Sequence, residues 1–516
     1  MSMQSLIMSN KKVTNFVMPR IPASFWEKIG EKKAIKIFKI AAKLVPSYRK
    51  TINNSGVKID KINSVNDFNK LPIIDKKNYI VKYPLIERVL GGKLDGKYTV
   101  EKSASTSGGS YFWPRLPEED EMFPKYIEYS FVQFYGIDKK STLVIMTLAL
   151  GTWTSGEKMA QALRLTATSK KKYKMTVVTP GANVEEVIEI VKNLSDQYDQ
   201  TVIVGYPPFV KTVVDEGEKE GIDWKSLNLR LGLGGEGYSE KWREYMAEKI
   251  GLPKKDLMGI AGGYGAADIG MSIGREYPIT ILIRKLACRD KKLAKALFGT
   301  SELEPSFLQY NPGSCYIEEV KGELVFTVLS GVPLIRYNIH DRGGVKSFEK
   351  VMAIVRKHGY KIKRELKKFG YTPEDVWHLP FFYVFGRSDG TISVGGANIY
   401  PENVDTALYT VQTAMINTYK LTTIFDKKMN IRPAILIELD KNYKFATKDE
   451  IKNLKNKLHN IFMKSMIEMN GDFRDAYRVD PKCLNLIIKI YPYNSGPFVE
   501  DKKKIKRRYI LQKTAV

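Results

Sequence analysis

Short apolar runs alternate with amphipathic helical stretches between residues 143 and 205, and this rhythm restricts the fold more than any other feature of the chain. Leu143 to Ala149 reads as a buried strand, Gly156 to Leu165 as a helix and Met175 to Thr179 as a strand. Asn183 stands three residues before Glu186, a helix-start pattern, with Val187, Ile188, Val191 and Leu194 following on one face. Thr201 to Gly205 is again a strand, and an apolar run at Leu227 to Leu231 precedes a helix from Ser239 to Ile250. Strand and helix in alternation put a helix over each crossover, so the fold class is α/β, with parallel sheets flanked by helices.

At 516 residues the chain exceeds one ordinary core and calls for roughly two to four domains. Trp26 to Leu44 carries Ile29, Ala34, Ile37, Ile40 and Ala41 at helical spacing. Leu71-Pro72-Ile73-Ile74-Asp75-Lys76 leads into another helix, and residues 101 to 115 form a Ser/Gly-rich loop. Further on, Glu323 to Leu329 reads as a strand and Lys350 to Gly370 as one charged amphipathic helix. A boundary falls near Gly386 to Gly390. Beyond it come a strand at Ala434 to Leu439, a capping box at Thr447 and Glu450, and a strand at Leu486 to Ile490. The intervening helix, Ile451 to Met466, turns Leu454, Leu458, Ile461 and Phe462 inward. The expectation is a large N-terminal α/β domain over residues 1–385 and a small C-terminal α+β domain over 386–516.

No run approaches the roughly 18 apolar residues of a membrane span, and the N-terminus lacks a charged-then-apolar signal pattern, so a cytoplasmic protein is expected. Cys288, Cys315 and Cys483 are far apart and only four histidines are present, which argues against a zinc site or a disulfide framework. A net charge of +26 favours a polyanionic ligand. Without an interleaved aromatic ladder it does not specify nucleic acid, and a polyphosphate suits it as well.

Several segments could carry chemistry. Ser103-Ala104-Ser105-Thr106-Ser107-Gly108-Gly109-Ser110 has glycines whose backbone N–H groups can converge on phosphate oxygens and hydroxyls that add donors. No Gly-Lys-Ser/Thr follows, so it is not a Walker loop, and a flexible connector is the alternative. Gly232-Leu233-Gly234-Gly235-Glu236-Gly237 satisfies Gly-x-Gly-x-x-Gly. The acidic residue a dinucleotide site wants at the end of the next strand is missing, since Asp256 precedes its apolar segment. A tight strand-to-helix turn is the alternative. Gly263-Tyr264-Gly265-Ala266-Ala267-Asp268 is a Gly-rich turn with a carboxylate of the kind Mg²⁺ accepts. In Arg336-Tyr337-Asn338-Ile339-His340-Asp341, Asp341 has two oxygens suited to a vicinal diol, and His340 is given no role. Phe385-Gly386-Arg387-Ser388-Asp389-Gly390, Val394-Gly395-Gly396-Ala397-Asn398-Ile399-Tyr400-Pro401 and the basic tail Asp501 to Tyr509 complete the set.

In this order and spacing the segments resemble the motifs of the acyl-adenylating (ANL) superfamily. Leu71-Pro72-x-x-Asp-Lys76, the short Arg-Tyr-x-x-x-Asp and the Asn-x-x-Pro run are most similar to its phenylacetate–CoA ligase branch. The chain departs from the family at Tyr111-Phe112-Trp113, where the family has Gly-Lys-Pro, and at Ala267-Asp268, where it has Thr-Glu. The resemblance implies a mobile C-terminal lid hinged at Asp389 and carrying a catalytic lysine, Lys504, with Lys502 and Lys503 as neighbouring registers. It implies that Thr106, Ser107, Gly108, Gly109 and Ser110 hold phosphates, and that Gly235, Glu236, Tyr264 and Gly265 shape the adenine site. Asp341 and Arg387 would bind ribose, Asp268 would hold Mg²⁺, and Gly395 and Gly396 would line a thiol tunnel. An acyl pocket is sketched near Trp153, Tyr206, Gly262 and Gly263.

The implied reaction converts a carboxylic acid and ATP to acyl-AMP, then transfers the acyl group to a thiol, that of coenzyme A above others. The implied partners are the acid, ATP, Mg²⁺ and coenzyme A or a carrier protein, with a homodimer left open. Three alternatives stay beside it: an adenylating enzyme with a carrier protein, amine or cofactor as acceptor; a catalytically degenerate nucleotide-binding relative; and an NAD(P)-dependent oxidoreductase built on Gly232–Gly237.

Overall fold

The computed structural model describes residues 11–503 apart from 97, 105–109, 152–153, 171–172, 302, 389, 410–414, 427 and 444–446. The chain divides into two compact units between Gly386 and Arg387, and the short segments Ala104–Tyr111 and Tyr206–Asp215 group with the second. Among the described residues no helix is long and apolar enough to cross a membrane.

In chain order the strands of the first unit are β1 (Ile74–Asp75), β2 (Thr99–Ala104), β3 (Ser110–Arg115), β4 (Thr142–Met146), β5 (Met175–Val178), β6 (Gln200–Gly205) and β7 (Leu229–Leu233). They continue with β8 (Ile260–Ala266), β9 (Gly270–Arg275), β10 (Ser306–Tyr310), β11 (Tyr316–Val320), β12 (Glu323–Val328), β13 (Leu334–Lys346) and β14 (Phe381–Arg387). Twelve of them form one sheet in the order β11-β12-β13-β14-β10-β9-β8-β7-β6-β4-β5, with β1 beside β13. The α/β expectation holds, with a difference. Two stretches are parallel, the five strands β5-β4-β6-β7-β8 and the pair β1–β13, and from β8 to β9 the sheet continues antiparallel. Within the five-stranded part, β4 to β7 correspond to the four apolar runs, which need burial on both faces under crossover helices. The antiparallel part includes the short hairpins β8–β9, β11–β12 and β12–β13, which the helix–strand rhythm does not signal.

Local chemistry explains where the elements begin. The Asn183 side chain accepts from the Glu186 N–H, as its spacing predicts, and the helix Val184–Leu194 buries Val187, Ile188 and Val191. The helix Ala23–Leu44 buries Ala34, Ile37, Phe38 and Ala41. Four expectations are corrected. The strand placed at Leu227 to Leu231 lies two residues later, so Gly232 and Leu233 belong to β7. The single helix at Lys350 to Gly370 is two, Phe348–Lys357 and Ile362–Lys367. Gly359 interrupts it at φ 85°, a left-handed conformation that ends a helix. Most of the loop placed at 101 to 115 is strand, since β2 runs to Ala104 and β3 from Ser110 to Arg115, and the two pair with each other. The helix after Pro72 is only a five-residue wide turn, Lys76–Ile80, capped by Asp75.

The second unit has a hairpin of β15 (Ile392–Val394) and β16 (Ala397–Ile399), and a three-stranded sheet of β17 (Ile416–Phe425), β18 (Ile431–Leu439) and β19 (Ile487–Tyr491). Thr447 and Glu450 form the expected capping box, and the helix they open, Lys448–Met469, buries Leu458, Phe462, Met463 and Met466. Leu454 and Ile461 are half-buried at its edge. Leu458, Phe462, Met463 and Met466 pack in one cluster with Leu421, Ile435 and Ile437 of the sheet, so the unit has its own apolar core.

Candidate active site

β7 ends at Leu233 and the helix Glu240–Lys249 begins after the N-cap Ser239, so Gly234 to Gly237 is the connecting bend. Gly235 takes φ 80°, which a residue with a Cβ adopts only under strain. The bend follows the fourth of the five parallel strands in chain order. A dinucleotide fingerprint follows the first, so the oxidoreductase reading loses its structural context.

The next strand, β8, carries Gly262, Gly263, Tyr264 and Gly265, and Ala267, Asp268 and Ile269 turn the chain into β9. What the sequence reads as a turn is therefore mostly strand. Its glycines let β9 come close, since a Cβ on Gly265 would lie 2.8 Å from the Gly270 oxygen. Tyr264 stacks on Phe326 at 6.1 Å between ring centroids and meets Phe382 edge-on. Its hydroxyl donates to Asp341 Oδ2 at 2.5 Å. The residues assigned to adenine and to ribose, 77 positions apart, are thus in direct contact.

Asp341 lies on β13 and is 8 % exposed. On the same strand Arg336 is tied down by Glu318 and by the carbonyls of Asn69 and Leu71. β1 pairs with β13 at Ile74 and Tyr337. The Leu-Pro-x-x-Asp-Lys and Arg-Tyr-x-x-x-Asp segments are consequently one structural element, and Arg336 is the strut between them. Tyr337 is buried and donates to Asp268 Oδ2 at 2.5 Å.

Asp268 fits Mg²⁺ in one particular way. Among the described residues no group of three or more His, Cys, Asp or Glu could hold a metal ion. Mg²⁺ is usually bound through one or two carboxylates plus substrate phosphates, and a single half-buried aspartate suits an ion brought in on ATP.

Behind β8 lies a buried charge cluster that sequence reasoning missed. Glu276 accepts from the Gly262 N–H at 2.7 Å, the Tyr238 hydroxyl at 2.8 Å and Arg243 at 2.5 Å. Arg284 joins both Glu276 and Glu240. Burial opposes the charge on Glu240, but Arg243, Arg284 and Lys285 hold its carboxyl below the ordinary range. The available signal was Glu276 and Arg275 together interrupting an otherwise apolar and glycine-rich stretch.

Arg387 ends β14, is half-buried and falls in the second unit. Gly395 and Gly396 form the two-residue turn between β15 and β16 with φ 61° and 82°, the pattern of a tight hairpin. A Cβ on Gly396 would meet the Tyr206 ring at 3.0 Å, so two residues assigned to thiol tunnel and acyl pocket touch within the second unit. Gly262 and Gly263, the other acyl-pocket candidates, belong to the first unit. Ser110 opens β3 and Glu236 is half-buried in the bend. Thr106, Ser107, Gly108, Gly109, Trp153, Asp389 and Lys504 lie outside the described residues. Two cavities of about 660 and 340 Å³ are lined by none of the candidate residues.

The fold has a counterpart among solved structures. The chain aligns over 96 % of its length with the structure of a 2-hydroxyisobutyryl-CoA ligase in complex with 2-HIB-AMP and CoA, covering 91 % of that chain at a TM-score of 0.62 and 13 % identity. Its curated relatives bear the name of the branch it resembles. It is 21 % identical over 402 residues to a phenylacetate-coenzyme A ligase of Aromatoleum evansii, covering 77 % of this chain and 74 % of that one. It is also 21 % identical over 366 residues to one from Pseudomonas putida, 70 % of each. No protein-family model matches the chain.

Proposed function

We propose that this chain is an AMP-forming acid–thiol ligase. The observation that carries the reading is the hydrogen bond from Tyr264 to Asp341, which joins two separately recognised nucleotide motifs on β8 and β13 of one sheet. In the first step a carboxylate oxygen attacks the α-phosphorus of ATP and the bond to pyrophosphate breaks. In the second, a thiol sulfur, that of coenzyme A, attacks the acyl carbon, and AMP leaves as the thiol proton is released. Neither step needs covalent help from the protein, so positioning and charge carry the catalysis.

Thr106, Ser107 and Ser110 hold phosphate oxygens, Gly235, Glu236 and Tyr264 line the adenine site, and Asp341 with Arg387 takes the ribose hydroxyls. Mg²⁺ at Asp268 neutralises phosphate charge. Residues 1–385 act as the adenylation domain and 386–516 as a lid hinged at Asp389, presenting Lys504 for the first step and the Gly395–Gly396 turn for the second.

The test is carboxylate-dependent ATP–pyrophosphate exchange over pooled aryl, fatty and amino acids, then thioester formation with coenzyme A. Exchange confined to one pool names the acid class, whereas ATP binding without exchange from any pool favours the degenerate relative. Asp341→Ala is expected to weaken ATP binding about ten- to a hundredfold, the worth of hydrogen bonds to a charged group, and calorimetry reading an unchanged affinity would move the ribose site elsewhere. Gly396→Trp is expected to lower thioester formation at least about tenfold while exchange persists. Two obstacles act there, the positive φ and the Tyr206 ring. Thioester formed at the wild-type rate would remove the tunnel from this turn.

A further inference from the structure

The carboxylate proposed above for Mg²⁺, Asp268, is one methylene shorter than the glutamate of the family the chain resembles, and the residue before it is an alanine with no hydroxyl. A shorter arm has fewer rotamers to lose, but it reaches its target only if the backbone beneath it is held in place. The turn at Ala267 to Ile269 has two external anchors. On the side-chain side, Tyr337 donates to Asp268 Oδ2 at 2.5 Å. Tyr337 is 1 % exposed and is pinned by β-pairing to Ile74 on one side and Phe326 on the other, so its hydroxyl is aimed by the sheet. On the backbone side, Arg115 donates to the carbonyl of Ala267. Arg115 is itself fixed by Glu101 at 2.7 Å and by the Ser330 hydroxyl at 3.2 Å. Lys158 adds a second cation on Glu101 at 3.2 Å. Arg115 is the last residue of β3.

We infer that Tyr337 and Arg115 are positioning residues that set the Asp268 carboxylate for a metal–ATP complex, an inference that rests on the proposed adenylation. Tyr337 occupies one oxygen of Asp268 and so directs the other toward the phosphates. Arg115 supplies, from β3, the hold on residue 267 that an alanine side chain cannot make for itself. The altered Ala-Asp pair is thereby a re-anchored metal site rather than an eroded one.

The full-length Tyr337→Phe protein tests this, because it keeps the buried ring and removes only the hydroxyl. Mn²⁺ binding in the presence of ATP, read from the free-Mn²⁺ electron paramagnetic resonance signal, is expected to weaken about tenfold, the worth of one hydrogen bond to a charged group. ATP affinity in EDTA, by calorimetry, is expected to stay at the wild-type value. The Mg²⁺ concentration for half-maximal exchange should rise in parallel and excess Mg²⁺ should restore the rate. Thioester formation from supplied acyl-AMP, which involves no pyrophosphate, should not change. Arg115→Lys, which keeps the charge on Glu101 but loses the fork, should weaken Mn²⁺–ATP binding in the same direction. A Tyr337→Phe protein whose Mn²⁺–ATP binding equals wild type overturns the inference alone, as does equal loss of metal-free ATP affinity and acyl-AMP turnover, the mark of a structural role. A wild-type protein that binds neither ATP nor Mn²⁺–ATP overturns the adenylation reading and this inference with it.

Discussion

Lys504→Ala is expected to lower carboxylate-dependent pyrophosphate exchange by about two to three orders of magnitude, the cost of removing one preorganised stabilising donor from a reacting centre. The first half-reaction brings a carboxylate and the α-phosphate of ATP together, two anions that repel until a cation stands beside both. Supplied acyl-AMP has already passed that barrier. Its carboxyl charge has been converted to a mixed anhydride, and attack by a thiol needs no cation between two anions. The variant should therefore keep thioester formation from acyl-AMP while losing its synthesis. Lys502→Ala and Lys503→Ala serve as register controls, because three consecutive lysines precede Ile505. A loss that moves to Lys503 would shift the register by one. A loss of both half-reactions in a folded Lys504→Ala protein would remove the assigned role.

Much of this site is legible in the sequence because it is made of short contiguous pieces. Gly234 to Gly237 is readable as a bend, since an apolar strand runs into it and a Ser-capped helix leaves it. Asp341 is readable because Arg336 and Tyr337 stand at fixed offsets from it on β13. The parallel strands β4 to β7 are readable from continuous apolar runs, which a strand buried on both faces requires. The illegible part is what distant segments do to one another. Tyr337 is inside a recognised motif, yet its partner Asp268 lies 69 positions away and nothing local points to it. Arg115 sits 152 positions from Ala267 and reads as an ordinary charge after a proline. The break at Gly359 is missed because charged residues at helical spacing continue on both sides, and apolar periodicity does not register a single left-handed residue. The antiparallel continuation through β9 and β10 is missed because glycine-rich strands such as Gly270–Arg275 lack the β-branched signature.

The buried cluster around Glu276 gives the largest expected effect on stability. Glu276 is 3 % exposed, and Glu276→Ala leaves Arg243 and Arg284 sharing Glu240 alone among the acids that face both of them. Removing one partner of a buried charge set is costlier than the set is worth, because the remaining charge stays out of water uncompensated. The expected loss is about 3–5 kcal/mol, read as a lower denaturant midpoint for the first unit. The same substitution strips the acceptor from the Gly262 N–H and the Tyr238 hydroxyl, a further buried donor each. Glu276→Gln separates the two contributions. It can still accept from Gly262 and Tyr238 but carries no charge, so it should recover the hydrogen-bonding part and leave the electrostatic part lost. Since Gly262 lies two residues before Tyr264 on β8, the alanine variant should also bind ATP more weakly under conditions where it remains folded, and the glutamine variant less so. An alanine variant as stable as wild type would mean that Glu240 and Glu304 neutralise both arginines unaided, and would reduce Glu276 to a spectator of the fold.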